Sequence, residues 1–191
     1  MSNTRVTDAL ALRAMASAFD AQRGKLPVEG DPHRSPDGVT VARQISELGK
    51  MITDLGNDLL FRAADQGRDA HTLRVIDGFA GAVRPAGEAA SALGAVAHQL
   101  SFLDLTEHHR DQPDVRDARE AATQVVGESL ETADHVLRDA ANSLHIAAEA
   151  VSPQSARLQA ARRRSALAAS ASPPAPAPAA AAPAARIARS R

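Results

Sequence analysis

The chain has 191 residues, a formal net charge of −1 and no cysteine, which leaves room for one domain and excludes disulfides, thiolate metal sites and a cysteine nucleophile. Hydrophobic residues make up 44% of it and aromatics 2%, with four Phe, no Trp and no Tyr. Alanine dominates, and Leu, Ile, Val and Phe together reach only about a fifth of the chain, so a β-sheet core is excluded and closely packed helices are expected.

Residues 1–24 begin the chain with a short amphipathic helix, from about Thr4 to Arg23, in which Val6, Leu10, Met15 and Phe19 recur every three to five positions. Gly24 is its stop. Residues 25–38 contain Gly30, Pro27, Pro32, Pro36 and Gly38 and are expected to form a linker or a wrapping loop; the first helix is then either loosely attached or packed as a fourth member of the bundle.

Residues 39–152 should form a bundle of three long helices. The first, from about Val39 to Ala64, carries a strict heptad seam: Val41, Ile45, Leu48, Ile52, Leu55 and Leu59 alternate spacings of four and three. Gly49 and Gly56, seven apart beside that seam, are expected to admit a close helix. Asp65, Gln66 and Gly67 form the turn, and Asp69 is the next N-cap. The second long helix reaches about Thr106 to Arg110, with Ile76, Phe79, Val83, Leu93, Ala97 and Leu100 in one register. Pro85, between Gly81 and Gly87, is expected to kink or break it. The third begins at Pro113, since proline suits a first helical position. It carries the seam Val126, Leu130, Ala133, Leu137, Ala140, Leu144, Ala147 and Val151.

Beyond Ser152, residues 153–171 are expected to form a short basic helix. Residues 172–191, broken by Pro173, Pro174, Pro176, Pro178 and Pro183, are expected to form a disordered Ala/Pro-rich tail. The last acidic residue is Glu149; seven arginines follow, so the tail carries +7 and residues 1–149 carry −8. The whole is therefore an all-α, elongated antiparallel helical bundle with a basic tail.

Chemistry is sparse. The sequence contains no Glu-x-x-His, His-Glu-x-x-His, phosphate-cradling glycine loop or Gly-x-Ser-x-Gly elbow. The cluster Glu107, His108, His109, Arg110 and Asp111 suits the negative end of a helix as well as it suits a metal. No cofactor, metal or catalytic residue is expected, and the protein reads as a non-enzyme. Met1 to Arg23 lacks the apolar run of a secretion signal, and no stretch offers about 20 bulky apolar residues for a membrane span. A cytoplasmic location follows as the expectation. Twenty Arg against two Lys point to a GC-rich bacterial genome.

Two functions are expected from this pattern. The first is a helical interaction or scaffold protein whose seams, Val41 to Leu59 and Val126 to Val151, pair with a second copy or with partner helices. The alternative is a nucleic-acid-associated protein that uses Arg162, Arg163 and Arg164 as a weak, non-specific electrostatic tether.

Overall fold

The computed structural model describes residues 2–28, 31, 33–64, 69–152 and 158. Four helices form among them: α1 (Ser2–Gly24), α2 (Gly38–Ala63), α3 (Ala70–Leu105) and α4 (Pro113–Val151), with a single 3-10 turn at Glu107–His109. No strand is present among the described residues. At 36 and 39 residues, α3 and α4 each span roughly 50 to 60 Å at 1.5 Å per residue.

The starts are chemically marked. Asp37 and Asp69 have extended backbones and accept hydrogen bonds from the amides of Thr40 (2.9 Å) and Thr72 (2.8 Å), closing the first turns of α2 and α3. Pro113 opens α4 where no amide donor is needed. Two helix ends are closed by arginines from elsewhere in the chain. Arg34 donates from Nη2 to the carbonyls of Gly24 (2.9 Å) and Leu26 at the end of α1. Arg119, on α4, donates to the Leu103 carbonyl near the end of α3, and to Thr106 Oγ1 at 2.9 Å. A cation placed there complements the negative helix terminus.

Pairing follows from the contacts. Helices α3 and α4 form the central antiparallel hairpin. Helix α2 packs on α3, and α1 packs on α4, antiparallel to it, as Arg13–Glu149 (2.5 Å) and Arg23–Asp134 (2.9 Å) show. The core runs between them through Leu12, Ala16, Phe19, Val41, Leu48, Leu55, Phe79, Ala86, Leu93, Leu137 and Leu144.

Three expectations need correction. Val6 and Leu10 are exposed; the buried stripe of α1 is Ala9, Leu12, Ala16 and Phe19, in which two alanines alternate with two bulky residues. That burial also makes α1 a full member of the bundle, and residues 25–28 fold against it, with Leu26 and Pro27 buried. Pro85 does not break α3, which runs unbroken from Ala70 to Leu105. Buried alanines on either side, Ala82, Ala86 and Ala89, hold the helix in place, and the carbonyl the proline ring approaches belongs to Gly81, an exposed residue with space around it. Gly49 and Gly56 face open space. The close approach is at Gly78 instead, where an added Cβ would lie 2.6 Å from Ala147 Cβ and 3.3 Å from Leu12 Cδ2. Ile76, Val83, Ala97 and Leu100 flank the core of α3 half-buried, and Val75, Phe79, Ala82, Ala86, Ala89, Leu93 and Val96 form its centre. The expected turn at 65–67, the short helix over 153–171 and the tail over 172–191 lie outside the described residues, Leu158 excepted.

Two stability outcomes follow. Gly78→Ala should destabilise the fold, because overpacking of about 1–3 kcal/mol exceeds the helix-propensity gain of about 1 kcal/mol. Gly49→Ala, in open space, should stabilise it by about 0.5–1 kcal/mol; urea denaturation of both variants reads the opposite signs. Hydrogen bonds from the side chain and backbone of Thr40 hold the Asp37 carboxyl below its ordinary value. Those from the backbone and side chain of Thr72 do the same for Asp69. A depressed folded-state value stabilises the fold above the ordinary carboxylate pKa, and that contribution fades as pH falls through the folded value. Asp37→Ala and Asp69→Ala should therefore lower the thermal midpoint at neutral pH, with the gap from the parent chain closing in acid.

Candidate functional site

The eleven expected seam residues occupy the interior of one chain. Val41, Leu48, Leu55, Val126, Leu130, Leu137, Leu144 and Val151 are buried in the core, and Ile45, Ile52 and Leu59 pack half-buried against it. Both seams close on helices of the same molecule, so neither presents an open apolar face to a partner. Arg162, Arg163 and Arg164 lie outside the described residues.

What the structure leaves open is one end of the α3–α4 hairpin. No residue from Ala97 to Ala121 is buried, whereas the core is continuous up to Val96 on α3 and from Ala122 on α4. Over this 25-residue arm only Ala97 and Leu100, at its start, pack against the core. Arg119 ties the two together through Leu103, Thr106 and Glu107 (2.7 Å), and Arg110 adds a second ion pair to Glu107 at 2.9 Å. Phe102 and Leu103 are half-buried, and Leu105 is 79% exposed. His108 and His109 sit in the connecting turn, exposed, and among the described residues no three His, Asp or Glu side chains are placed to hold a metal ion.

At the opposite end, three helices meet around a buried carboxylate. Asp8 of α1, 7% exposed, accepts from Arg62 Nη1 of α2 at 3.1 Å and lies 2.9 Å from His71 Nε2 of α3. The Arg62 guanidinium stacks 5.1 Å above the Phe79 ring, a cation–π contact. Along the rest of the α1–α2 boundary the contacts are also polar: Gln22 Nε2 donates to the Gln44 carbonyl at 3.3 Å, Gln44 Nε2 donates to the Lys25 carbonyl, and Lys25 pairs with Glu47 at 2.8 Å. Two buried side-chain atoms without a hydrogen-bond partner among the described residues, Gln44 Oε1 and Arg62 Nε, both belong to this boundary. Sequence periodicity missed Asp8 and Gln44. Each carried a signal, because Asp8 lies four residues before Leu12, and Gln44 lies between Val41 and Leu48 on one helical face.

A cleft of about 680 Å³ opens between the end of α1, the following loop and the middle of α4. Arg23 and Gly24 line it from α1, and Leu26, Pro27, Val28 and Arg34 from the loop. Helix α4 supplies Gly127, Leu130, Glu131, Asp134, His135 and Arg138. Asp134 accepts from both Arg23 Nε, at 2.9 Å, and Arg138.

No known family, curated protein or solved structure matches the chain. No helix among the described residues is long and apolar enough to cross a membrane.

The Asp8 cluster makes a quantitative prediction. Asp8→Ala leaves His71 without its partner and Arg62 with only Asp58, 3.7 Å away, and should destabilise the fold by on the order of 2 kcal/mol. Chemical denaturation measures it. A loss comparable with that of an exposed carboxylate such as Glu120 would refute the structural role.

Proposed function

We propose that this chain is a non-enzymatic helical interaction protein that associates through the α3–α4 arm, not through its heptad seams. The supporting observation is the run from Ala97 to Ala121 without a single buried residue, on helices that are otherwise core-forming. A two-helix hairpin buries little apolar area per residue, and its outer faces gain free energy from further helices packed on them. Phe102 and Leu105 supply the bulky groups such an interface concentrates. The seams contribute indirectly by making the bundle that holds the arm rigid.

Charge sets the conditions. Between Ala97 and Ala121 the acids Asp104, Glu107, Asp111, Asp114, Asp117 and Glu120 outnumber Arg110, Arg116 and Arg119. Two arms brought together repel one another at low ionic strength, and salt screens that repulsion.

Analytical ultracentrifugation tests the reading. The parent chain should associate reversibly at about 10–100 µM, an affinity of about 6 kcal/mol, and more strongly in salt. Leu105→Glu should remain folded by circular dichroism and sediment as a monomer. A parent chain that stays monomeric at about 100 µM in high salt overturns self-association through the arm.

A further inference from the structure

The arm holds a disproportionate share of the chain's histidines. Three of the seven, His98, His108 and His109, fall within its 25 residues, and all three are exposed. They differ from His71, His135 and His145, each of which lies within reach of a carboxylate. The Nδ1 atom of His98 is 3.5 Å from Gln99 Nε2, and that of His109 is 3.5 Å from Gln112 Nε2. Either amide can present its oxygen to the ring instead, so neither contact resists a proton on the imidazole.

The charges around these rings are acidic in excess. Glu107, beside His108, takes both Arg110 and Arg119, and Asp117 lies 3.7 Å from its neighbour Arg116. Those three are all the arginines the arm has. Asp104, Asp111, Asp114 and Glu120 are exposed and have no cation within ion-pair distance among the described residues. The arm therefore carries −3 when its imidazoles are neutral and no net charge when all three are protonated. Histidine changes charge between about pH 5 and pH 8, a range in which carboxylates ordinarily stay ionised.

We infer that proton binding to His98, His108 and His109 controls the self-association of the arm, which strengthens as pH falls. The inference rests on the arm being the associating surface, as proposed above, and adds what regulates it. Phe102 and Leu105 lie between His98 and His108 along the chain, so one stretch carries both the apolar groups and the titrating charges. Two arms that meet above neutral pH bring like charges together, and that repulsion opposes the apolar contact. Once the rings are charged, the same surfaces meet without net charge. Linkage runs both ways, so pairing of the arms also favours proton uptake.

Sedimentation equilibrium of the full chain tests the inference at about 10 mM ionic strength, where the Debye length is about 30 Å. Between about pH 7.5 and about pH 5.5 the Kd for self-association should fall about tenfold. In about 1 M salt, which shortens the Debye length to about 3 Å, the change should shrink below about twofold. Combining His98→Gln, His108→Gln and His109→Gln should leave association at neutral pH as in the parent chain and abolish the pH response. His135→Gln, exposed on α4 outside the arm, should keep it. Asp111→Asn with Glu120→Gln should tighten association at neutral pH, imitating acid, and circular dichroism should show every variant helical at both pH values. Equal association of the parent chain at both pH values, a response that survives in the triple variant, or one undiminished by salt would overturn the inference while leaving the arm as the interface. A parent chain that stays monomeric at about 100 µM in high salt at both pH values overturns both readings.

Discussion

The contact on which this fold depends is the one at Gly78, where α3 meets Ala147 of α4 and Leu12 of α1 with no room for a further carbon. A chain this poor in bulky residues gains its dispersion energy by bringing backbones close together. Small residues set that distance. The buried stripes say the same: Ala9 and Ala16 on α1; Ala82, Ala86 and Ala89 on α3; Ala133, Ala140, Ala141 and Ala148 on α4. The leucines and Phe19 and Phe79 then fill the spaces that remain. Close approach also explains why α3 continues through Pro85, since buried alanines on both sides of the ring hold the helix against its neighbours.

Around this tight triangle of α1, α3 and α4, the fourth helix is attached differently on its two flanks. Against α3, α2 uses an apolar seam. Against α1 it uses Asp8–Arg62, Gln22–Gln44 and Lys25–Glu47. Polar contacts across a partly closed boundary contribute less net stability than apolar burial, because each one replaces hydration. They are, however, demanding in geometry. Arg62, held by Asp8 and seated over Phe79, sets the register of α2 against both neighbours in a way that interchangeable alanines do not. The bundle thus takes its strength from one set of interfaces and its alignment from another.

Much of this was legible in the residues. The seams of α2 and α4 were readable because their spacing is strict and their residues are large, and Leu48, Leu55, Leu137 and Leu144 are in the core as their period requires. Register failed on α1, where Val6 and Leu10 outweigh Ala9 and Ala16 on any hydrophobicity scale although the alanines are the buried residues. Gly49 and Gly56 had the spacing of a close-contact pair, but spacing cannot say which glycine has a neighbour; only the meeting of α1, α3 and α4 selects Gly78. The cleft was invisible for the same reason. Arg23 and Arg138 come to share Asp134 only after α1 turns back along α4, and the arm is defined by where two other helices stop.

The arm also separates length from stability. Because no residue from Ser101 to Ala121 belongs to the core or is among those packed against it, a heptad added to or removed from both strands of the hairpin beyond Leu100 would shift its tip by roughly 10 Å while leaving the core contacts unchanged. The same base can therefore carry arms of graded reach.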